Sequence, residues 1–435
     1  MQHLKLTRRA LAAAVALVLA GSAAAAPKGV VDPKVSSLVK GDAAALGFDP
    51  AKLKAAEDGL KADVAAGKIA GAYLLVGRHG KVAFQEGFGA QGPGQTAVPN
   101  EETIFRVFSM TKPIVAVTAM TLVEEGKLDL DAPVSKYLPE YANLVVWQPD
   151  GTTKPATKPM LVRNLMSHTS GLIYGFIQPT TPLAKAWDAG GENRADVKLR
   201  DYARIVAKLP LRTEPGTAWY YGRSIDILGA VVEVASGKTL DVAVKERVTG
   251  PLGMTDTGFW QPAAAKARFA EPLAAGALPG MGDLYYDYTK KPVLFSGGGG
   301  LSSTAEDYLR FALMLQGNGA YKGVRILKPE SVAKMREDQT TPAIRQAGLF
   351  FPGPGMGFGL GGSVVIDDKL ARPGAGTYSW WGIAGTEFWV DPKNDLFMVF
   401  MIQNRERAME YQRKNRTWIY DALVKPPAPA PSRAR

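Results

Sequence analysis

The amino-acid sequence predicts an α+β fold in which an antiparallel sheet, assembled from both ends of the chain, is flanked by helices. Two observations carry this prediction. Hairpin patterns occur near both ends of the sequence, and no alternating strand and helix pattern lies between them. With 435 residues, 46% of them hydrophobic, the chain can bury a sizeable core and form two or three structural units.

The first residues predict export. Lys5, Arg8 and Arg9 precede a short apolar run, and small residues follow it, which is typical of a secretory signal peptide over residues 1–25. The run is too short to span a bilayer, and the chain has no cysteine that could carry a lipid anchor. We therefore expect a periplasmic or secreted protein with no stable membrane anchor. The paired arginines leave a twin-arginine signal open beside a general export signal.

The N-terminal part of the mature chain changes its hydrophobic period. Residues 51–66 carry apolar side chains at spacings of three and four, with charges between them, which predicts an amphipathic helix. Residues 72–76 and 81–88 are strand-like and joined by a glycine-bearing turn, which predicts a hairpin.

The C-terminal part repeats this arrangement in reverse order. Residues 387–390 and 396–402 predict a second hairpin, and residues 405–423 predict a terminal helix. The Pro-rich tail, residues 425–435, is predicted to be disordered.

These elements predict a discontinuous organisation. Residues 27–127 and 295–424 are expected to build one sheet-containing domain, because both hairpins belong to it. Residues 128–294 between them are expected to form a mainly helical domain.

The composition excludes several chemistries. The absence of cysteine removes disulfides, thiol nucleophiles and thiolate metal sites. Only His3, His79 and His168 are present, so a multi-histidine metal site is not expected, and neither is any cofactor. The net charge of +11 is spread among acidic residues without a basic stripe, so we expect no nucleic-acid partner.

Two glycine-rich strings lack the context of phosphate-binding loops. Gly357, Gly359 and Gly362 precede a strand-like stretch instead of a helix, so they are interpreted as the start of a strand. Residues 297–300 lack the lysine and hydroxyl residue of a phosphate loop, which favours a close backbone approach beside a site or a turn.

The histidines offer little to a serine protease-like triad. The G-x-S-x-G elbow is missing from the sequence. His79 falls at the predicted hairpin turn, and His168 follows an apolar helix-like run, where a structural imidazole bonded to nearby backbone is the better interpretation.

A serine activated by a lysine is the remaining option. The spacing S-x-x-K places a hydroxyl and an amine on the same face of a helix, where a desolvated amine can accept the serine proton. The spacing occurs three times: at Ser37 with Lys40, Ser109 with Lys112, and Ser331 with Lys334. We interpret the first and third pairs as solvated surface, because one lies in a polar stretch and the other at an ordinary helix start.

Ser109 and Lys112 differ from the other pairs because they lie where a mostly apolar helix begins. Pro113 is tolerated only near a first helical turn, which places Ser109 close to the helix N-terminus and its free N–H groups. Taken alone, the pair is equally compatible with a serine cap beside a snorkelling lysine.

Six ordered motifs extend this interpretation. They are residues 108–112 (FSMTK), 165–172 (LMSHTSGL), 214–217 (EPGT), 224–229 (SIDILG), 297–304 (GGGGLSST) and 384–386 (AGT). In this order they resemble the serine β-lactamase-related superfamily, which includes class C β-lactamases, D,D-peptidases and family VIII carboxylesterases. The resemblance runs from about residue 50 to 423 and implies a β-lactamase/transpeptidase-like fold.

The resemblance also implies catalytic roles. Ser109 would be the acylated nucleophile, Lys112 its partner, and Tyr221 the tyrosine of the family's Y-x-N element, with Tyr220 as the alternative register. The backbone N–H groups of Ser109 and Ile383 would form the oxyanion hole.

Two departures from the family pattern bear on the substrate. Trp380, Trp381 and Gly382 occupy the lysine-threonine-glycine element, so an aromatic ring replaces the lysine that helps to hold a lactam carboxylate. This replacement favours an apolar ester and resembles family VIII esterases. Arg223 replaces the asparagine of Y-x-N, where it would either hold a substrate carboxylate or form a structural ion pair.

We therefore expect a serine hydrolase that forms an acyl-enzyme, with a small-molecule ester as its substrate. A carboxylesterase acting on short-chain or aromatic esters fits best, with weak β-lactamase activity as a side reaction. The alternatives are a β-lactamase, D,D-peptidase or D-aminopeptidase and, from another class, a non-catalytic cell-wall-binding protein.

Overall fold

The largest feature of the molecule is a seven-stranded antiparallel sheet, seen in a computed structural model that describes residues 29–273 and 287–424. From one edge to the other its strands are β2 (Lys81–Gly89), β1 (Gly71–Arg78), β13 (Leu396–Ile402), β12 (Glu387–Asp391), β11 (Tyr378–Trp381), β10 (Ser363–Val365) and β9 (Met356–Phe358). Three short ladders pair β3 (Phe105–Arg106) with β6 (Ser302–Ser303), β4 (Val145–Trp147) with β5 (Thr153–Pro155), and β7 (Ala320–Tyr321) with β8 (Val324–Arg325).

Helices cover both faces of this sheet and fill the region inserted between the two hairpins. They are α1 (Pro50–Ala65), α2 (Thr111–Glu124), α3 (Val162–Met166), α4 (Pro182–Ala189), α5 (Leu199–Val206), α6 (Ser224–Ser236), α7 (Leu240–Val244), α8 (Ala305–Gln316), α9 (Pro329–Arg336), α10 (Pro342–Ala347) and α11 (Ala408–Asp421). Short 3₁₀ turns include Phe108–Met110 and Gly175–Ile177. The region predicted as mainly helical, residues 128–294, contains α3 to α7 and the β4–β5 ladder.

The sheet joins the two ends of the chain, which confirms the predicted α+β arrangement. Strand β1 pairs with β13, so that Leu75 lies opposite Val399. Every residue of β1 is buried, and its side chains alternate between two cores. Leu74 packs in the outer core with α1 and α11, whereas Leu75 packs in the inner core with α2 and α8.

The predicted hairpins and terminal helices form close to their expected positions. The helix expected at residues 51–66 is α1, where the Asp49 side chain accepts hydrogen bonds from the first free backbone N–H groups. Gly357 lies in β9, and Gly359 and Gly362 lie at the turn to β10, so this string belongs to a hairpin.

Helix α2 lies at the centre of the molecule. Each of its residues from Thr111 to Leu122 is buried, and it packs against α6. An unbroken apolar run gives a helix that needs partners on all sides. Lys112 lies in the first turn of this buried helix and is therefore the residue whose burial requires an explanation.

One surface prediction was wrong. Ser37 is only 1% exposed, and its backbone N–H donates to Glu306 at 2.8 Å. The segment is held against α8 because the buried guanidinium of Arg310 donates to the carbonyl oxygens of Pro33 and Val35. These non-local hydrogen bonds are not visible in a polar stretch of sequence.

The predicted signal peptide, residues 1–25, and the predicted disordered tail, residues 425–435, lie outside the described residues. Between residues 29–273 and 287–424, no helix combines the length and apolar character needed to cross a membrane.

Candidate active site

Ser109 and Lys112 meet at the start of α2. The 3₁₀ turn Phe108–Met110 carries Ser109 and continues directly into the helix, after a left-handed backbone conformation at Phe108 (φ +44°). Lys112 Nζ lies 3.0 Å from Ser109 Oγ. The spacing of three residues on a helical turn therefore brings the amine and the hydroxyl together, as the sequence predicted.

The environment of Lys112 favours its uncharged form. The side chain is fully buried, and this burial lowers the pKa of Lys112 from 10.5 to about 7, although the Asp226 carboxylate opposes the change. At neutral pH a large fraction of the amine is therefore free to accept a proton from Ser109.

A glycine-rich turn holds the amine in place. Lys112 Nζ donates to the carbonyl oxygen of Gly298 at 2.6 Å. The Asp226 carboxylate on α6 fixes this turn by accepting from Ser296 Oγ at 2.6 Å and from the Gly298 N–H at 3.0 Å. A Cβ atom at Gly298 would lie 2.6 Å from Asp226 Oδ2 and 2.7 Å from Tyr174 Oη, so a side chain does not fit. The close backbone approach predicted for residues 297–300 is confirmed.

Tyr221 is the third side chain of the candidate catalytic group, beside Ser109 and Lys112. Its hydroxyl accepts from Trp380 Nε1 at 3.2 Å, and the neighbouring Ser109 side chain acts to lower the pKa of the phenol. The Lys112 amine lies 4.6 Å from the centre of the Tyr221 ring. Burial raises the pKa of Tyr221 above its usual value, so the phenol stays protonated.

The neighbouring Tyr220 faces elsewhere. The Arg212 guanidinium lies 5.4 Å from the centre of the Tyr220 ring. The Tyr220 backbone N–H donates to the His168 carbonyl oxygen at 2.9 Å. Of the two registers left open by the sequence, the structure brings Tyr221 to Ser109.

His168 packs against Tyr221. The ring is completely buried and packs 4.7 Å from the Tyr221 ring centre, while Nδ1 accepts from the Gly222 N–H at 3.4 Å. Burial lowers the pKa of His168 well below its usual value, and the nearby Lys112 charge acts in the same direction. The imidazole is therefore neutral and positions the segment that carries Tyr221, in agreement with its predicted structural role.

The end of strand β11 lies next to the turn that carries Ser109. Trp380 and Trp381 at this end and the following Gly382 are the predicted counterpart of the family's lysine-threonine-glycine element. A Cβ atom at Gly382 would lie 2.5 Å from the Val107 carbonyl oxygen and 2.3 Å from Thr386 Oγ1, so only glycine allows this approach. The Thr386 hydroxyl also donates to the Val107 oxygen at 3.3 Å. The end of β11 is thus pressed against the residues that immediately precede Ser109.

The predicted oxyanion hole lies on these two adjoining segments. Ser109 is at the start of a helical turn, where N–H groups are free, and Ile383 follows Gly382. Within residues 29–273 and 287–424, neither of these two N–H groups donates to another protein atom. Both are therefore available to a developing negative charge.

Arg223 lies in an ion pair. Its Nε donates to Glu192 at 3.3 Å and its Nη2 to Asn193 at 3.1 Å, while the guanidinium lies 4.7 Å from the centre of the Tyr174 ring. Glu192 is only 1% exposed. The structure therefore places Arg223 in the structural ion pair, which was one of its two predicted roles.

An aromatic wall surrounds Tyr221; it contains the predicted Trp380 and Trp381 together with Trp219 and Phe351, which the sequence analysis missed. Phe351 lies 5.4 Å from Tyr221, 5.0 Å from Trp219 and 6.3 Å from Trp380, measured between ring centres. The centre of the Trp381 ring system lies 4.3 Å from that of Trp380, with the two planes tilted by 34°. The adjacent aromatics at residues 350 and 351, inside a stretch rich in glycine and proline, were the available signal.

The arrangement provides the parts of an acyl-transfer site. It holds a nucleophilic hydroxyl, a neutral amine that can act as base, a phenol that can relay a proton, and two free N–H groups. The roles themselves stay predictions, since they rest on geometry and on the resemblance.

Comparisons with known proteins identify related sequences. A sequence model of the family described as Beta-lactamase matches residues 56–422. Protein Rv1367c of Mycobacterium tuberculosis is 38% identical over 357 residues, which cover 78% of this chain and 87% of that protein. Esterase EstB of Burkholderia gladioli is 33% identical over 365 residues, which cover 79% of this chain and 88% of EstB.

A solved structure extends the likeness to three dimensions. EstCE1, described as a hydrolase with promiscuous acyltransferase activity, is 28% identical and superposes with a TM-score of 0.69. The match covers 86% of this chain and 99% of that one.

Proposed function

Because the chain belongs to the beta-lactamase family of serine hydrolases, we propose that it is a carboxylesterase that hydrolyses short-chain or aromatic esters through an acyl-enzyme on Ser109. One observation carries the choice of ester over lactam. Trp380 occupies the position of the family's third-element lysine, and its indole N–H donates to Tyr221. An indole cannot neutralise a substrate carboxylate as an ammonium does.

Acylation begins with the Ser109 proton. As Ser109 Oγ bonds to the ester carbonyl carbon, the neutral Lys112 amine accepts the hydroxyl proton. The N–H groups of Ser109 and Ile383 stabilise the negative charge on the carbonyl oxygen. The carbon–oxygen bond to the alcohol then breaks, and Tyr221 passes a proton to the departing oxygen while it receives one from Lys112.

Deacylation reverses these roles. Water attacks the acyl carbonyl carbon and gives its proton to Lys112. The bond to Ser109 Oγ then breaks, and Oγ recovers a proton from the amine. Since the Tyr221 phenol has a raised pKa, the amine serves as the resting base in both steps.

The aromatic wall supports an apolar substrate. Trp380 is buried, while Trp381 and Phe351 are partly exposed beside Tyr221. Rings of this kind offer large apolar contact areas to an acyl chain or an aromatic alcohol. A lactam carboxylate at the same place would be desolvated against carbon.

Turnover of p-nitrophenyl butyrate tests the core machinery. We expect Ser109→Ala and Lys112→Ala each to reduce kcat/KM by at least about 10³-fold, since one removes the nucleophile and the other its base. Ser331→Ala and Lys334→Ala form a matched control, because this pair has the same spacing on α9. Near-normal turnover in both site variants, with folding checked by circular dichroism, would refute the proposal.

A chromogenic cephalosporin separates the ester from the lactam alternative. The wild-type protein is expected to prefer p-nitrophenyl butyrate by kcat/KM. A strong preference for the cephalosporin would show that the interpretation of Trp380 is wrong and would favour a β-lactamase or peptidase.

Acyl transfer to an alcohol is a second candidate activity. The description of EstCE1 includes acyltransferase activity, and the aromatic wall around Tyr221 could hold an alcohol in place of water. Benzyl alcohol is added to the p-nitrophenyl butyrate assay, and the yields of benzyl butyrate and free butyrate are measured. Their ratio gives the partition of the acyl-enzyme between transfer to the alcohol and hydrolysis. If no benzyl ester forms at any alcohol concentration, this second activity is excluded for that acceptor.

Export also stands as a proposal. It is supported by the basic, apolar and small-residue pattern of residues 1–25. Expression in a Gram-negative host should give a periplasmic protein whose mass corresponds to a start at Ala26. Full-length protein confined to the cytoplasm would contradict it.

A further inference from the structure

A groove runs beside the candidate active site. It shares Tyr174 and Tyr221 with the site, and Tyr220 and Arg212 also line it. Its other lining residues include Ile173, Ile177 and Leu349. The lining is mainly apolar, and Arg212 is its one charged residue within the described ranges.

Arg212 is held on a rigid backbone. Its N–H donates to the Gly171 carbonyl oxygen at 2.8 Å. Both backbone groups of the preceding Leu211 are hydrogen-bonded to β4. Its N–H donates to the Val145 carbonyl oxygen at 2.8 Å, and its carbonyl oxygen accepts from the Trp147 N–H at 2.9 Å. The base of the arginine side chain therefore has a fixed position relative to the groove.

The guanidinium of Arg212 is ordered but not neutralised. It lies 5.4 Å from the centre of the Tyr220 ring, a cation–π arrangement that limits its freedom. In the part of the chain that the structure describes, no carboxylate lies within ion-pair distance of it. The nearby Glu214 carboxylate instead accepts from the Thr157 N–H at 2.9 Å.

The other two basic side chains of the site already have partners. Lys112 is bonded to the Gly298 carbonyl oxygen and Ser109, and Arg223 is bonded to Glu192 and Asn193. A substrate carboxylate would therefore find its positive partner at Arg212.

We propose that Arg212 binds a carboxylate of the substrate, so that the preferred substrates are esters that carry a carboxylate in either their acyl or their alcohol portion. This inference rests on the proposed esterase function. The guanidinium lies over the Tyr220 ring, and the ring of Tyr221, the next residue, has its centre 4.6 Å from the Lys112 amine. A carboxylate held at Arg212 would thereby place an ester that lies along the groove at the nucleophile.

Two pairs of substrates show whether the recognised carboxylate belongs to the acyl or to the alcohol portion of the ester. The monoester 4-nitrophenyl hydrogen adipate carries it in the acyl portion, and 4-nitrophenyl hexanoate is its uncharged counterpart. The ester 3-acetoxybenzoate carries it in the alcohol portion, and phenyl acetate is the corresponding neutral ester. Rates are measured for wild type, Arg212→Gln and Arg212→Lys, with Lys208→Gln as an exposed control that loses the same charge.

For at least one pair, Arg212→Gln should lower kcat/KM for the carboxylate ester by about 10- to 100-fold, mainly through KM. It should leave the neutral ester within about 2-fold, because the reacting groups are unchanged. Arg212→Lys should recover part of the loss, since it restores the charge without the planar fork. Lys208→Gln should change neither ester.

Equal effects of Arg212→Gln on charged and neutral esters in both pairs would overturn the inference. Hydrolysis of the neutral esters by wild type would still uphold the proposed function in that case. A wild-type protein that hydrolyses none of the esters refutes the proposed function, and the inference falls with it.

Discussion

Lys112 shows how a catalytic requirement opposes stability at the scale of a single residue. The folded-state pKa of about 7 lies below the ordinary value of 10.5, so the unfolded chain binds the proton more tightly. The cost to the free energy of unfolding is therefore fully present below about pH 7. It decreases as the pH rises towards 10.5 and then disappears.

Replacing this lysine should consequently stabilise the protein while it removes activity. Lys112→Met is expected to raise the free energy of unfolding by roughly 2 kcal/mol or more at pH 6, with a smaller gain at pH 10. Denaturant unfolding at the two pH values measures this, and the exposed Lys208→Met serves as control. A stability loss at pH 6 would contradict the assigned burial cost.

The sequence could identify Ser109 and Lys112 because three-residue spacing is a local property of a helix. It could not choose between Tyr220 and Tyr221, since adjacent residues differ only in which side of the segment they face. Phe351 of the aromatic wall was also missed, because it reaches Tyr221 through tertiary packing. Ser37 was misjudged for the same reason.

At the scale of elements, the activity depends on how closely β11 approaches the turn that carries Ser109. Gly382 permits this approach, because a Cβ atom would collide with the Val107 carbonyl oxygen at 2.5 Å. Separating the two segments would move the Ile383 N–H away from the Ser109 N–H. The geometry of the predicted oxyanion hole is therefore set by one glycine.

Gly382→Ala is expected to reduce kcat for p-nitrophenyl butyrate by about 10²-fold or more, the usual effect of losing an oxyanion-hole donor. Gly376→Ala, just before the same strand and at φ +82°, is the control. It should cost about 1 kcal/mol of stability through backbone strain and leave kcat nearly unchanged. If the two variants have the same kcat, Gly382 does not control the geometry of the oxyanion hole.

The regular elements were predictable where their pattern is local. The apolar run of β1, the glycine-bearing turn that follows it and the mixed spacing in α1 appear directly in the sequence. The hairpin of β9 and β10 was only partly foreseen, because its glycines also fit a different motif. The role of Gly298 as acceptor for Lys112 depends on a contact across nearly two hundred residues, which no local pattern contains.

At the scale of the whole molecule, the two ends of the chain stabilise each other. Helix α1 contributes Asp63, which is 4% exposed. Asp63 accepts hydrogen bonds from Lys414 and Tyr411 of α11 and from Lys68. Burial alone would raise the pKa of Asp63, but these three partners lower it from 3.8 to about 2.

This ionic contact should make part of the stability sensitive to acid. Because the folded-state pKa lies below the unfolded value, the contribution is present above about pH 4 and is lost as the pH falls through about 2. Asp63→Asn is expected to lower the free energy of unfolding by about 2 kcal/mol at pH 7. Thermal unfolding measures the loss, and the exposed Asp58→Asn on the same helix should show almost none.

The fold class was predictable at this scale because both hairpins and six ordered motifs lie far apart in the sequence yet agree on one architecture. The region predicted as helical also contains the β4–β5 ladder, whose strands are too short for a clear alternation. The groove that ends at Arg212 could not be foreseen, since its lining comes from several separate segments.

The central claim is that an uncharged Lys112 amine makes Ser109 reactive. The rate of labelling by a fluorophosphonate, with the modified residue located by mass spectrometry, tests this most directly. We predict a single label on Ser109 whose rate rises with pH through about 7 and falls strongly in Lys112→Ala. Labelling that is independent of pH and unchanged in Lys112→Ala, or no labelling of the native protein, would contradict the account.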